Sequence, residues 1–129
     1  MRDPFDPTDA ELRAWAQSGD FAPMEDWDLI IAEPLRAPTL IDLAADGPPE
    51  SREFFLRCLY LLVGDAVRSG FNSAPKEDVE AVLVGAEPAA RESVSIALWL
   101  ARSRRLLEHP EEFQYDAWCG GGLARPQAR

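Results

Sequence analysis

Residues 49–69 read PESREFFLRCLYLLVGDAVRS, and their apolar pattern is the strongest structural signal in the chain. Apolar side chains recur there every three or four positions, which is the period of an α-helix. The positions that share one helical face are Phe55, Cys58, Leu59, Leu62, Val63 and Ala66. Other apolar residues cover most of the remaining circumference, as is typical of a helix at the centre of a domain. Because Gly70 follows as a helix stop, we predict a central helix over residues 49–69.

Helical patterns continue on both sides of this segment. A second long helix is predicted over residues 88–109, because Pro88 suits a first helical position and Ile96, Trp99 and Leu100 form an apolar face. Shorter helices are predicted at residues 9–18 after the capping box Thr8-Asp9-Ala10-Glu11, at 24–33, 39–45 and 74–85, and from residue 110. No strand is predicted, because no alternating apolar–polar run is bounded by hairpin turns. The expected fold class is all-α, an irregular bundle of about seven helices arranged as antiparallel helical hairpins, with 49–69 and 88–109 as the two long central helices.

Length and composition are typical of one globular domain. A chain of 129 residues with 47% hydrophobic residues can bury a continuous core. We expect a single domain over residues 1–123 and a flexible tail over 124–129. Because the apolar stretches are too short for a bilayer and the first residues lack the apolar run of a signal peptide, we expect a cytoplasmic protein with no membrane partner. Cys58 and Cys119 are expected to stay reduced, with a bridge between them as the alternative.

Negative charge is concentrated near the N-terminus. The formal net charge is −10, which argues against a nucleic-acid partner, because phosphate backbones are bound through clustered Lys and Arg. Residues 1–50 carry twelve Asp and Glu against three Arg, whereas the rest of the chain carries eleven against ten basic residues. Lys76 is the only lysine, and such a preference for arginine is typical of bacteria with GC-rich genomes.

The acidic segment suggests a binding surface for a basic protein partner. Asp20, Glu25, Asp26 and Asp28 flank Trp27, and an aromatic ring rimmed by carboxylates is a suitable anchor for an Arg or Lys of a partner. The alternative is that Trp27 packs in the chain's own core, since it belongs to an apolar stripe at helical spacing. The leading hypothesis is a protein-interaction module that masks a basic surface, a class that includes immunity proteins, antitoxin-like inhibitors and charge-mimicking regulators. A homodimer is compatible with this hypothesis.

Three polar residues of the predicted central helix support a second hypothesis. Arg57, Tyr60 and Asp65 lie in an otherwise apolar helix, where an unpaired buried charge would be costly. These residues would either make structural ion pairs or line a polar pocket between the two long helices. The pocket would make the chain a small-molecule-binding or sensory bundle.

Enzyme chemistry is the least favoured class. His109 is the only histidine, and its place at a helix C-terminus explains it, although Cys119 offers a nucleophile for an alternative pair. The glycines after Cys119 follow a helix and not a strand, unlike a phosphate loop. The acids at residues 25, 26 and 28 suit a helix start and lack the glycine-containing spacing of a cation loop. We therefore predict no catalytic residue, no cofactor and no metal.

A basic strip is the remaining charged feature. It consists of Arg91, Arg102, Arg104 and Arg105 in the predicted helix 88–109. The simplest expectation is that these arginines pair with acids of residues 1–50. Such pairing would neutralise the proposed binding surface, so the two expectations conflict, and the positions of the carboxylates decide between them.

Overall fold

The fold is an assembly of helices around the predicted central one. The computed structural model describes residues 1–120, and the side chains of residues 1–118. Its α-helices in chain order are α1 (Asp9–Ser18), α2 (Trp27–Ile30), α3 (Ala37–Asp46), α4 (Pro49–Arg68), α5 (Lys76–Gly85), α6 (Glu87–Ala90) and α7 (Val94–Glu108). Two 3-10 turns, Pro34–Arg36 and Pro110–Glu112, and a π-helical turn, Asp116–Gly120, accompany them. The structure is 70% helical and the described residues form no strand, which confirms the all-α fold class.

The predicted central helix is α4, and it ends one residue earlier than expected. It contacts α2, α3, α5, α7 and the π-helical turn. Phe55, Leu59 and Val63, which share its predicted apolar face, are completely buried. α3 packs along α4 in a hairpin that turns at Gly47, so these two helices form the base on which the other elements lie.

The capping box at the start of α1 forms as predicted. The backbone N–H of Glu11 donates to the Thr8 hydroxyl at 3.1 Å, and the backbone N–H of Thr8 donates to the Glu11 carboxylate at 2.9 Å. Hydrogen bonds from the backbone N–H groups of Thr8 and then of Arg2 lower the pKa of Glu11. Gly19 ends the helix with φ 75°, a left-handed conformation that glycine adopts without a steric cost.

The predicted second long helix is interrupted. Ser93 adopts an extended conformation with φ −125° and ψ 117°, and its hydroxyl accepts a hydrogen bond from the Ile96 N–H at 3.2 Å. Ser93 therefore caps α7, and residues 87–90 form the separate short helix α6. The long helix of this region begins six residues later than predicted, because the serine satisfies a helix-start N–H that a continuous helix would have used internally.

Two other predicted helices are shorter in the structure. The helix at 24–33 is reduced to α2, because Asp26 has φ 62° and a left-handed residue cannot continue a right-handed helix. The helix from residue 110 is replaced by a 3-10 turn and a π-helical turn. Among the described residues, no helix is both long and apolar enough to cross a bilayer. The predicted flexible tail at 124–129 lies outside the described residues.

Candidate functional site

Trp27 is part of the core. Only 1% of its surface is exposed. Its ring meets Trp15 edge-on, with 4.9 Å between centroids, and lies 5.5 Å from the ring of Phe54. The indole N–H donates to the backbone oxygen of Pro4 at 2.8 Å. The core interpretation is confirmed, and the role of Trp27 as an exposed partner anchor is wrong, because packing and one hydrogen bond satisfy the whole side chain.

The acids around Trp27 divide into two groups. Asp28 accepts a hydrogen bond from Arg57 Nε at 3.0 Å, and both side chains are partly buried. Asp20, Glu25 and Asp26 are exposed, and none of them forms an ion pair with a described residue. The carboxylate of Asp26 makes no capping hydrogen bond although the residue starts α2. Three of the four predicted binding acids therefore face solvent, and the fourth belongs to an ion pair within the fold.

The remaining acids of residues 1–50 follow the same division. Five of the twelve make ion pairs, which are Asp6 and Glu33 with Arg36, Glu11 with Arg2, Asp28 with Arg57 and Asp42 with Arg13. The other seven are exposed and have no ion pair to the described part of the chain, namely Asp3, Asp9, Asp20, Glu25, Asp26, Asp46 and Glu50. More than half of the N-terminal carboxylates thus remain hydrated.

The basic strip does not neutralise these acids. Arg105 pairs with Glu112 at 3.1 Å, and Arg104 forms a close ion pair with Glu87. Arg102 donates to the Tyr60 hydroxyl at 3.3 Å. Within the described residues none of the strip's arginines, the exposed Arg91 included, contacts an acid of residues 1–50, so the expected pairing is wrong. The acids of these two ion pairs, Glu87 and Glu112, lie outside residues 1–50.

The predicted polar residues of α4 do not converge on one pocket. Arg57 bonds to Asp28, whereas Asp65 forms a close ion pair with Arg68 one turn along the helix. The ring of Tyr60 packs against Trp118 with 5.1 Å between centroids. The hypothesis of a pocket formed by Arg57, Tyr60 and Asp65 is therefore wrong, because each of them has a different structural partner.

His109 is the described member of the candidate catalytic pair, and it lies beside two glutamates. Nδ1 of His109 lies 3.5 Å from the Glu111 carboxylate, and ligand atoms of these residues and Glu112 lie within 4.8 Å of one another. Glu112 already pairs with an arginine guanidinium, which opposes a second cation there. Cys58 is a buried free thiol, and its pKa is raised well above its usual value, first by burial and then by the nearby Asp28. The side chain of Cys119 lies outside the described part of the chain.

A groove that the sequence did not predict lies between α3 and α5. Its volume is about 550 Å³, and one side is open to solvent. The walls come from the 3-10 turn before α3, from α3 and α5, and from the start of α6. Four apolar residues and three aspartates of this lining are Leu35, Ile41, Ala81, Val82, Asp42, Asp46 and Asp78. Its lining combines apolar side chains with these three aspartates.

No simple sequence signal marks this groove. Leu35 stands alone after Pro34, and 92% of its surface is exposed. Ala81 is small and exposed on α5. These residues come together only because α3 and α5 are neighbours in space, which the helical periodicity of either segment does not reveal.

Comparison with models of known protein families, with curated proteins and with solved structures finds no match to this chain.

Proposed function

We propose that this chain is a protein-interaction module that binds a basic surface of a partner protein. One observation carries the proposal: the carboxylates of residues 1–50 are largely exposed and unpaired within the described residues, although the chain also contains a strip of arginines. Hydrated carboxylates on a folded surface attract a basic partner over distance and orient it during the encounter.

The way in which the acidic segment is attached supports this proposal. Trp27 binds to the backbone of Pro4, and Arg36 binds to Asp6 at 2.7 Å, so the chain before α1 is held against the fold. The carboxylates are consequently presented on a defined surface and not on a loose tail. A fixed arrangement of charges favours one orientation of the partner. It also means that less conformational freedom is lost on binding.

The test is capture of a partner from the native host, with salt as the variable. The full chain is immobilised, and bound proteins are recovered at about 50 mM and about 300 mM salt, since the screening length falls over this range. A partner that is basic and is lost at the higher salt supports the proposal. A recovered interaction that salt does not weaken contradicts it.

A variant with fewer acids localises the effect once that partner is in hand. The triple substitution Asp20→Asn, Glu25→Gln and Asp26→Asn removes three exposed charges and leaves α2 intact, because asparagine tolerates the left-handed conformation of residue 26. We expect the association rate constant to fall about three- to tenfold.

The matched control removes three exposed acids from the rest of the chain, with Glu80→Gln, Glu92→Gln and Glu108→Gln. Because the two triple variants have the same net charge, a specific N-terminal surface predicts a clearly smaller effect for the control. Equal effects would mean that only the overall charge matters.

A further inference from the structure

The groove between α3 and α5 has the properties of a docking site. We infer that it receives an amphipathic helical segment of the partner, with apolar side chains against the groove floor and Arg or Lys beside Asp46 and Asp78. The inference rests on the proposed function and adds to it the place where the partner binds and the chemistry of the bound segment.

The apolar part of the groove favours a bound side chain. Leu35 is 92% exposed, so it contributes little to the stability of the isolated chain, whereas Ile41 and Val82, which also line the groove, are buried. Covering the exposed leucine removes apolar surface from water, which is favourable in proportion to the area buried. A partner with apolar side chains therefore gains free energy at this position.

The charges of the groove favour a cation beside that apolar contact. Asp42 and Asp46 are one turn apart on α3, and like charges at this spacing destabilise a helix. Asp46 is also the last residue of α3, where the helix dipole disfavours a carboxylate. Asp42 is relieved by Arg13 at 2.6 Å, but Asp46 and Asp78 have no ion pair to a described residue. An Arg or Lys of the partner would remove both unfavourable interactions of Asp46.

The open side of the groove favours a helix over a small molecule. A volume of about 550 Å³ accommodates two or three side chains. The open side and the walls from two neighbouring helices suit an amphipathic helix that inserts side chains one turn apart. A small ligand usually has most of its surface enclosed by its pocket, whereas this groove is open on one side.

The probe for this inference is a designed helical peptide. It carries leucines at positions i, i+4 and i+7 and arginines at the flanking positions, and a scrambled peptide of the same composition is the control. Binding to the full chain is measured by fluorescence anisotropy, and amide chemical shifts locate the site. We expect the helical peptide to bind at least about tenfold more tightly than the scrambled one, with shifts on α3 and α5.

Two glutamate substitutions on α5 separate groove binding from charge attraction. Ala81→Glu places a carboxylate in the groove, and Val84→Glu adds the same charge to an exposed site of the same helix outside it. Charge attraction alone predicts equal or tighter binding for both variants. Docking in the groove predicts that Ala81→Glu weakens binding of the peptide about tenfold, whereas Val84→Glu does not.

As a second variant, Leu35→Ala should weaken binding about threefold without affecting the fold.

Several outcomes would overturn the inference. These are no peptide binding at millimolar concentration, equal effects of the two glutamates, or competition by leucinamide at the affinity of the peptide. The last result would identify a small-ligand site. None of these outcomes bears on the salt dependence of the captured partner, so the proposed function and the docking site fail independently.

Discussion

The acidic segment of residues 1–50 and the basic strip carry opposite charges but are held in different ways. In the strip, Arg104 and Arg105 pair with Glu87 and Glu112, and these four side chains are between 43% and 66% exposed. The acidic segment is attached by more deeply buried contacts, through the Trp27 cluster and the partly buried Arg57–Asp28 ion pair.

The residues that attach the acidic segment to the fold are therefore different from most of the residues that give it an exposed negative charge. Aromatic packing and a few ion pairs hold it, and seven of its twelve carboxylates form no ion pair with a described residue. The strip, in contrast, has two exposed ion pairs at Arg104 and Arg105, whereas Arg91 has no ion pair to a described residue. A chain of this composition can therefore be stable and still present an uncompensated negative surface.

Removal of the Trp27 side chain should have the largest effect on stability. Trp27→Ala should lower the free energy of unfolding by about 3–5 kcal/mol, because a fully buried indole leaves a cavity and the Pro4 carbonyl loses its donor. Phe21→Ala is the matched control, since Phe21 is an aromatic residue of the same segment with 97% of its surface exposed. Urea unfolding followed by circular dichroism measures both. Similar small losses would show that the aromatic cluster does not hold the segment.

Loss of the Arg57–Asp28 ion pair should have an intermediate effect on the free energy of unfolding. Asp28→Asn keeps the shape of the side chain and removes its charge, so Arg57, which is one-third exposed, loses a charged partner. We expect a loss of about 1–2 kcal/mol in the free energy of unfolding, reduced from the value for a buried pair because solvent screens it.

Asp20→Asn is the control for this change, because it makes the same chemical substitution at an exposed residue with no ion pair to the described part of the chain. It should change the free energy of unfolding by less than about 0.5 kcal/mol. If both substitutions cost the same in thermal or urea unfolding, the division into structural and displayed acids does not hold.

Local signals in the sequence predicted the elements that depend on local interactions. The capping box of Thr8 and Glu11 forms because both residues lie within one helical turn. The apolar pattern of residues 49–69 predicted α4 to within one residue, because a helix that is apolar on nearly all sides has few alternative structures. Ser93 was missed since a serine can either continue a helix or cap one, and the flanking pattern suits both.

The candidate site depended on information that the sequence does not display. Arg57 and Asp28 are 29 residues apart, and no local spacing in the sequence connects them. Residues of the α3–α5 groove come from separate helices and share no periodic pattern. The excess of acids in residues 1–50 can be read from the sequence, but their exposure depends on the three-dimensional positions of the acids and the arginines.

The smallest change in the free energy of unfolding is expected from substitutions in the basic strip. The double substitution Arg104→Gln and Arg105→Gln removes two exposed ion pairs, each of which should contribute about 0.5 kcal/mol or less to the free energy of unfolding. If these arginines neutralised the acidic segment, their removal would increase repulsion there, and the loss would exceed that of Asp28→Asn and grow at low salt. Because Arg104 and Arg105 bind Glu87 and Glu112 and no acid of residues 1–50, we expect nearly unchanged urea unfolding at both low and high salt.

The basic partner should bind the variant at least as fast as the natural chain, since the net charge becomes more negative. Slower association would mean that the strip itself belongs to the binding surface.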